Sequence, residues 1–343
     1  MGKGIERLVA RRMTAIALNA ELIPRDTAGA VPTRSATDLV TALVYDAEGA
    51  NRIGLHGIIT TYDIDSAFLF TRVDKLEEVL HGQGWPPTLR SLVTNLCTDR
   101  YFAFRWARKR FHSSNGLPQG SPWSLILFLL FTASLPKRHQ GPAFSYADDI
   151  AQLTVGCDAT QMLHTASQRA AELHKRALDL SFKINYKKTE ALYLPPRGKE
   201  AKKNWRNPNN ITINTPAGPV RLQSEMRWLE VHLDAKFSLA TQVRRRTPKA
   251  TAVIGLSARI NQVFRGLTPR TAKQLFTTCL ILTLLYKTAA LFPGYTKSRG
   301  KDNPVSTNIK SALNELEMAA SKALRKTMLI WDTIPKQIPF WIV

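Results

Sequence analysis

Residues 146–149 read Tyr-Ala-Asp-Asp, and residues 61–68 read Thr-Tyr-Asp-Ile-Asp-Ser-Ala-Phe. In both stretches carboxylates lie among apolar residues, where a negative charge is costly unless a positive charge sits on it. Carboxylate oxygens are the ligands that hard divalent cations prefer. We therefore expect Asp148, Asp149 and a carboxylate of residues 61–68 to meet around a pair of metal ions. Two such ions can clamp the attacking and leaving oxygens of a phosphoryl transfer.

The hydrophobic pattern around these stretches predicts an α+β chain. An apolar, β-branched run predicts a strand over 58–64, and a β-hairpin over 143–153 carries the two adjacent aspartates at its turn. Ser-Pro at 121–122 predicts the start of an apolar helix that reaches residue 135. An amphipathic helix is expected over 160–180. We also predict helices within 5–48 with a cap at 37–38, over 76–80 and 89–96, and from about 240 onward; strands over 101–106, 184–186, 191–194 and 226–233; and a loop over 195–219.

The charge of the chain predicts a polyanionic partner. Its 343 residues carry a formal net charge of +22, although only 22% of them are charged. Residues 201–300 hold 17 Lys and Arg against 3 Asp and Glu, which places +14 of the excess there. Such a concentration is typical of nucleic-acid binding.

Other site classes and compartments are excluded by what the sequence lacks. Cys97, Cys157 and Cys279 are widely spaced with no CxxC pair, so they predict neither a zinc knuckle nor a disulfide framework, and we expect them to be buried. No apolar signal core opens the chain, which favours an intracellular rather than secreted protein. The apolar runs 125–135 and 275–292 are too short or interrupted to span a membrane, so we expect no stable membrane insertion.

A third motif lies between the carboxylates and completes a resemblance. Residues 116–122 read Gly-Leu-Pro-Gln-Gly-Ser-Pro. The order of the three motifs resembles the palm of reverse transcriptases, in particular those of non-LTR (LINE-type) retrotransposons, including fungal elements. The resemblance covers about residues 4–335 and implies a right-hand polymerase palm with partial fingers and a helical thumb. The parts it implies are partial fingers over 1–56; a palm with a ferredoxin-like sheet and helices over 57–235, with an inserted fingers segment at about 86–115 and a loop at 195–219; and a basic, helical thumb or connection over 236–343.

The resemblance implies a role for each motif residue. Asp63, Asp148 and Asp149 match the carboxylates that hold two Mg²⁺ ions, for which Mn²⁺ can substitute, and Lys188 matches a lysine that can protonate the leaving pyrophosphate. Phe68 matches a ring that excludes a 2′-hydroxyl, and a core phenylalanine is the alternative reading. For Lys188 the alternative is a solvated surface lysine. The substrate-binding positions implied by the resemblance are Phe68, Gln119, Gly120 and Tyr146.

The basic region after residue 240 matches the thumb. Its candidates for contacts with a phosphate backbone are Arg244, Arg245, Arg246 and Lys249. Residues 227–234 resemble the primer-grip segment, but Glu230 stands where the family usually has glycine. A carboxylate beside a primer phosphate would be unfavourable, so this departure puts primer positioning in question.

The resemblance implies an RNA-directed DNA polymerase, a nucleotidyltransferase that uses an RNA template, a DNA primer and deoxynucleoside triphosphates in the nucleus. The alternative is a catalytically silent element remnant that retains only RNA or DNA binding. A splicing-associated maturase relative is a third reading, for which residues 300–343 are too short. Several departures within the motifs suggest a decaying element copy truncated at both ends. The sequence does not predict an oligomeric state.

Overall fold

The computed structural model describes residues 2–65, 67–103, 110–113, 116–136, 141–196, 211–263, 268–291, 297–298, 301–302 and 307–328. By its internal contacts the chain forms two compact units, Met1–Leu229 and Glu230–Val343. The two units are described separately below.

The N-terminal unit alternates helices and strands. In chain order its elements are α1 (Gly2–Asn19), β1 (Thr27–Ala28), α2 (Ala36–Arg52), β2 (His56–Asp63), α3 (Ala67–Phe70), α4 (Val73–Gly82), α5 (Pro87–Cys97), β3 (Arg100–Ala103), β4 (Arg110–Ser113), α6 (Pro122–Thr132), β5 (Ala143–Tyr146), β6 (Asp149–Gly156), α7 (Ala159–Asp179), a 3₁₀ turn (Tyr186–Lys188), β7 (Glu190–Leu194), β8 (Thr212–Thr215), β9 (Gly218–Gln223) and β10 (Glu225–Trp228).

A seven-stranded mixed sheet organises this unit, in the order β1-β5-β6-β2-β7-β9-β8. Strand β2 lies at the centre and runs antiparallel to both β6 and β7. Parallel pairs join β1 to β5 and β7 to β9. The α+β class expected from the sequence is confirmed.

The core beneath the sheet is built around α6. This helix is apolar on all sides, and every residue from Ile126 to Thr132 is buried, as expected for a helix enclosed by other elements. It packs against α1 and α4. The Phe182 ring lies edge-on to Phe131, with 5.3 Å between ring centroids. Ser121 caps the helix by accepting a hydrogen bond from the Trp123 amide, so the predicted start is right, although the helix ends three residues before 135.

Helix α2 begins earlier than expected. Its N-cap is Ser35, whose hydroxyl accepts from the Asp38 amide, while the Asp38 carboxylate accepts from the Ser35 amide. This reciprocal pair is a capping box. The predicted cap at 37–38 was wrong by two residues, because Asp38 is the third helical residue rather than the cap.

Buried Arg169 ties α7 to the sheet and was missed by the sequence analysis. Its side chain is 1% exposed. The guanidinium donates to the carbonyls of Leu153, Gly141 and Pro142 and to the Thr154 hydroxyl. Burial lowers the Arg169 pKa to about 10. Because these acceptors lie on β6 and just before β5, Arg169 fixes the hairpin formed by those two strands.

Three strand predictions in this unit are corrected. Residues 184–186 form no strand, since Ile184 makes only an isolated bridge to Ile64 and the chain then turns as a 3₁₀ helix. Of the predicted loop 195–219, residues 197–210 lie outside the described part of the chain, and the rest contains β8 and the start of β9, which pair with each other and extend the sheet. Residues 226–233 are two strands rather than one. Their break falls at Leu229 and Glu230, with φ angles of 47° and 66°.

The C-terminal unit is mainly helical, as predicted. It contains β11 (Val231–Asp234), α8 (Leu239–Val263), α9 (Pro269–Leu275), a π-helix (Phe276–Ile281), α10 (Leu282–Leu284), a 3₁₀ helix (Thr288–Leu291), β12 (Lys297–Ser298), β13 (Lys301–Asp302) and α11 (Thr307–Met328). Helices α8 and α11 pack together around a small core that includes Val243, Leu284 and Leu316.

Two expectations from composition have outcomes here. Across the part of the chain that the structure describes, no helix is long and apolar enough to cross a membrane. Cys97 is buried, but Cys157 and Cys279 are exposed, so the expectation that all three are buried was wrong.

Candidate active site

Two of the three predicted carboxylates lie on neighbouring strands in direct register. Asp63 is the last residue of β2 and pairs with Asp149, the first residue of β6. Directly opposed residues of an antiparallel pair point to the same face of a sheet, with Cβ atoms about 5 Å apart. The pairing of β2 with β6 therefore brings these two carboxylates together, although they are distant in sequence.

The third carboxylate lies in the turn between β5 and β6. Ala147 and Asp148 form that turn, and Ala147 has a φ of 53°. The Ala147 amide donates to the Ala28 carbonyl, and the Asp148 carbonyl accepts from the Ile64 amide at 3.3 Å. The turn is thus fastened to β1 on one side and to the end of β2 on the other. These backbone bonds hold Asp148 beside the Asp63–Asp149 pair.

The carboxylates of the hairpin resist ionisation. Burial is the main cause that raises the pKa of Asp148 and raises the pKa of Asp149 to about 6. For Asp149 the negative charges of Asp148 and Asp63 add to the shift, whereas Lys188 and Arg227 oppose it. A bound cation would stabilise the ionised forms of these carboxylates, because a nearby opposite charge lowers a carboxyl pKa.

Lys188 provides the nearest positive charge. Its Nζ atom donates to Asp63 Oδ2 at 3.0 Å, although the lysine side chain is largely exposed. Backbone bonds explain how it arrives there: the Asn185 amide donates to the Asp63 carbonyl, and the Lys188 amide donates to the Asn185 carbonyl. The pair with Asp63 raises the pKa of Lys188.

The three carboxylates do not enclose a ready-made metal pocket. Among the described residues, no group of three or more His, Cys, Asp or Glu side chains is arranged to hold a metal ion. One of the three, Asp63, is instead paired with the Lys188 ammonium group. The donor chemistry nevertheless fits a divalent cation, since all three residues offer carboxylate oxygens and burial disfavours the ionised forms of Asp148 and Asp149.

The Gly-Leu-Pro-Gln-Gly segment forms a surface loop fastened to the residues after β2. The Leu117 amide donates to the Phe68 carbonyl at 2.8 Å, and the Gly116 amide donates to the Thr71 carbonyl at 3.0 Å. A Cβ on Gly116 would lie 2.6 Å from the Leu69 carbonyl oxygen, and its φ is 80°, so only glycine fits. Gln119 and Gly120, both predicted to bind substrate, are exposed on this loop.

The side chain of Phe68 is half-buried. Its ring stacks on Phe128 of α6, with 4.5 Å between centroids and an interplanar angle of 24°. One face therefore belongs to the core, as the alternative reading expected. The geometry is compatible with both readings, and the role as a sugar-excluding ring stays a prediction.

Tyr146 flanks the carboxylates on β5. It pairs with Asp149 across the hairpin and with Ala28 of β1. Its ring is half-buried against Gly29, where an added Cβ would lie 3.4 Å from the Tyr146 ring. Tyr146 is therefore adjacent to the acidic cluster, while its contact with substrate stays a prediction.

The four basic residues predicted to bind nucleic acid differ in accessibility. Arg244 and Arg245 are exposed on α8. Arg246 has a side chain only 7% exposed, donates to the Glu230 carbonyl, and stacks on Tyr286 at 4.7 Å. The Arg246 guanidinium is therefore a structural group of this unit, a use that the sequence did not reveal.

Glu230, the departure from glycine, is neutralised locally. Its carboxylate lies 3.5 Å from Arg246 and 3.4 Å from Lys249. Its φ of 66° is of the left-handed kind that favours glycine, which explains the residue usual in the family. The charge predicted to be unfavourable is thus compensated within the C-terminal unit.

Two further residues near the carboxylates were missed by the sequence analysis. Arg227 acts electrostatically on Asp149, and its amide donates to the Glu190 carboxylate at 2.7 Å. Tyr186 anchors the turn that carries Lys188, because its hydroxyl lies 2.9 Å from His174 Nδ1. The only signal in the sequence was their position within motifs already singled out, beside Lys188 and at the start of the primer-grip segment.

Comparison with known proteins places this geometry in context. The family model described as reverse transcriptase (RNA-dependent DNA polymerase) matches residues 1–233. Together with the mixed sheet, this match confirms the predicted polymerase palm. No curated protein sequence matches the chain significantly.

Solved structures of telomerase are similar to the chain at low identity. The apo telomerase from Candida tropicalis shares 10% identity over 99% of this chain and 60% of its own, with a TM-score of 0.46. The telomerase from Candida albicans in complex with a TWJ fragment of telomeric RNA shares 11% identity over 99% of this chain and 55% of its own, with a TM-score of 0.45. The chain thus spans less than two thirds of the length of these telomerases.

Proposed function

Because the chain belongs to the reverse transcriptase family of RNA-directed DNA polymerases, we propose that it transfers nucleotides from deoxynucleoside triphosphates to the 3′-hydroxyl of a DNA primer on an RNA template. The observation that carries the proposal is the register of Asp63 with Asp149, with Asp148 in the adjoining turn. We further propose that the chain derives from a non-LTR (LINE-type) retroelement of fungal type and acts in the nucleus. The three sequence motifs described above support that part.

Asp63, Asp148 and Asp149 are the residues that would hold the metal, which we propose to be two Mg²⁺ ions. When bound, such ions activate the primer hydroxyl and neutralise charge on the departing pyrophosphate. The fit rests on donor chemistry and on the raised pKa values of Asp148 and Asp149, because burial disfavours their ionised forms and a bound cation would offset that cost.

Other residues of the chain would position the reactants. Lys188 would carry an ammonium group at neutral pH, as lysines ordinarily do, and that group could donate a proton to the leaving pyrophosphate. The exposed loop that carries Gln119 and Gly120 leaves its backbone open to an incoming nucleotide, since a Cβ at Gly120 would meet nothing within 4 Å. The Phe68 ring, at the edge of the core, would form one wall of the space for the nucleotide sugar.

Primer extension tests the proposal. The parent protein is given an RNA template, an annealed DNA primer, dNTPs and Mg²⁺, and Asp148→Asn serves as the matched variant. We expect extension by the parent, none by the variant, and nearly equal primer–template affinity for both, because the change removes one anionic oxygen without altering side-chain volume. Binding without extension by the parent would contradict the proposal and favour a remnant that only binds nucleic acid. Equal loss of binding and activity in Asp148→Asn would show that the carboxylate is structural.

A further inference from the structure

The hairpin of β3 and β4 has a composition that nothing above explains. Residues 100–113 contain five basic and five aromatic side chains and no acidic one. Aromatic rings interleaved with cations are typical of surfaces that bind single-stranded nucleic acid, where rings stack on bases and cations contact phosphates. Residues 104–109 lie outside the described part of the chain and contribute three of the five cations by sequence.

Within the described part of the hairpin, two rings form an exposed pair. Tyr101 on β3 is directly opposite His112 on β4, so both rings share one face. Their centroids are 5.1 Å apart at an angle of 54°. Tyr101 is 68% exposed. His112 is oriented by Asp99, whose carboxylate lies 3.1 Å from its Nε2 atom. The pair is therefore held in place while a large aromatic face remains open to solvent.

Arg100 fastens this hairpin to the candidate nucleotide loop. Its Nη2 atom donates to the Gly116 carbonyl at 2.7 Å, and its Nε donates to the Cys97 carbonyl at 3.0 Å. Gly116 begins the loop that carries Gln119, and that loop is bonded to the residues after the Asp63 strand. The exposed rings and the candidate site thus share one connected scaffold.

We propose that Tyr101, supported by His112, is a stacking platform for an unpaired base of a single-stranded nucleic acid. Every base has an aromatic face, so such a platform binds strands with little sequence preference. By sequence, residues 100–113 carry basic residues and no acidic one, a charge complementary to phosphates. The inference rests on the proposed function, because a polymerase that copies a template would bring an unpaired strand to this hairpin.

Cross-strand packing is the competing explanation. Opposed aromatic side chains stabilise a hairpin whether or not anything binds to them. A substitution that keeps an apolar side chain of similar bulk but removes the aromatic face separates the two explanations. Tyr101→Leu does this, and Tyr101→Phe retains the face.

The experiment measures the affinity of the full chain, without dNTPs, for a fluorescently labelled unstructured oligonucleotide made as RNA and as DNA, and for a blunt RNA–DNA duplex. Tyr45→Leu is the matched control, because Tyr45 is 75% exposed on α2 and lies outside the candidate site. Thermal unfolding of each variant is measured alongside.

We expect Tyr101→Leu to weaken single-strand binding by about 5- to 150-fold, the range for loss of one stacked base, with duplex binding unchanged. Tyr101→Phe and Tyr45→Leu should bind as the parent does. A stronger loss for RNA than for DNA identifies the platform with the template strand, and equal losses identify a general single-strand platform. Unchanged single-strand binding by Tyr101→Leu overturns the inference, as does an equal loss for single strand and duplex. Failure of primer extension by the parent, with Tyr101-dependent binding intact, would instead contradict the proposed function alone.

Discussion

The ammonium of Lys188 lies 3.0 Å from Oδ2 of Asp63, across 125 residues of sequence. By the family resemblance Lys188 is the proton donor and Asp63 is a metal ligand. The two are thus partners in an ion pair. A divalent cation that binds Asp63 must compete with this lysine. Among the described residues, the three carboxylates do not form a group arranged to hold a metal ion.

Lys188→Met is therefore expected to raise the affinity for Mg²⁺ while it lowers the rate of primer extension. Removal of the ammonium frees the Asp63 oxygen, and an exposed ion pair of this kind predicts a gain of roughly two- to fivefold. Extension falls because the proton donor for pyrophosphate is lost. Titration with Mg²⁺ followed by thermal unfolding measures the first effect, and single-turnover extension measures the second.

Lys187→Met is the control for Lys188, because it is the neighbouring exposed lysine and removes the same charge. If the two variants changed Mg²⁺ affinity equally, the change would be caused by the loss of positive charge in general. The specific competition with Asp63 would then be wrong.

Asp149→Asn is expected to stabilise the metal-free protein at neutral pH. The folded-state pKa of Asp149 is about 6, above its ordinary value of 3.8, so the fold favours the protonated form. That favourable contribution is complete below pH 3.8 and is lost as the pH rises through 6. At pH 7.5 the parent therefore contains a strained carboxylate, and the variant should gain about 1–2 kcal/mol after allowance for solvent screening.

Urea unfolding with a chelator at pH 4.5 and pH 7.5 measures the Asp149 effect, and the gain should shrink at the lower pH. Asp65→Asn is the control, since Asp65 is an exposed carboxylate that lies just after β2. Addition of Mg²⁺ should stabilise the parent more than Asp149→Asn. If the gain in unfolding free energy did not depend on pH, its cause would not be the ionisation of Asp149.

Phe68→Ala is expected to admit ribonucleotides into the product and also to lower stability. The ring is half-buried on Phe128, so its loss should cost somewhat less than the roughly 3–5 kcal/mol of a fully buried phenylalanine. Phe182→Leu is the matched control, because it disturbs the same core cluster away from the loop. Incorporation of dNTPs and rNTPs is compared with a melting curve for each variant. A Phe68→Ala protein that melts earlier but keeps the parent's sugar discrimination would leave only the core role.

Arg244→Ala and Arg245→Ala are expected to weaken nucleic-acid binding and its salt dependence, whereas Arg246→Ala should mainly lower stability. Each exposed arginine that contacts a phosphate contributes about one to the slope of log affinity against log salt. Arg246 instead binds Glu230 and Tyr286, so its loss should cost about 1–3 kcal/mol of unfolding free energy. Binding measured from low to moderate salt, with melting curves, distinguishes the two classes. Affinity of the parent that stayed constant with salt would contradict the electrostatic basis.

Most secondary structure followed from local patterns. The strand of Asp63, the Asp-Asp hairpin and the apolar helix after Ser121 were predicted from periodicity and caps, which depend on neighbours in the chain. The pair β8 and β9 was missed because proline, glycine and asparagine are as frequent there as in loops, and only pairing with β7 makes the segment regular.

The sequence by itself determined which residues are candidates for the chemistry: the three aspartates, the glutamine loop and the lysine were all proposed from motif order. Only the tertiary structure decided their partners. The register of Asp63 with Asp149, the contact of Lys188 with Asp63, the burial of Arg169 and the use of Arg246 within the fold all join residues distant in sequence. The physical reason is that a side chain's type fixes what it can bind, whereas burial and charge depend on what the rest of the chain packs against it.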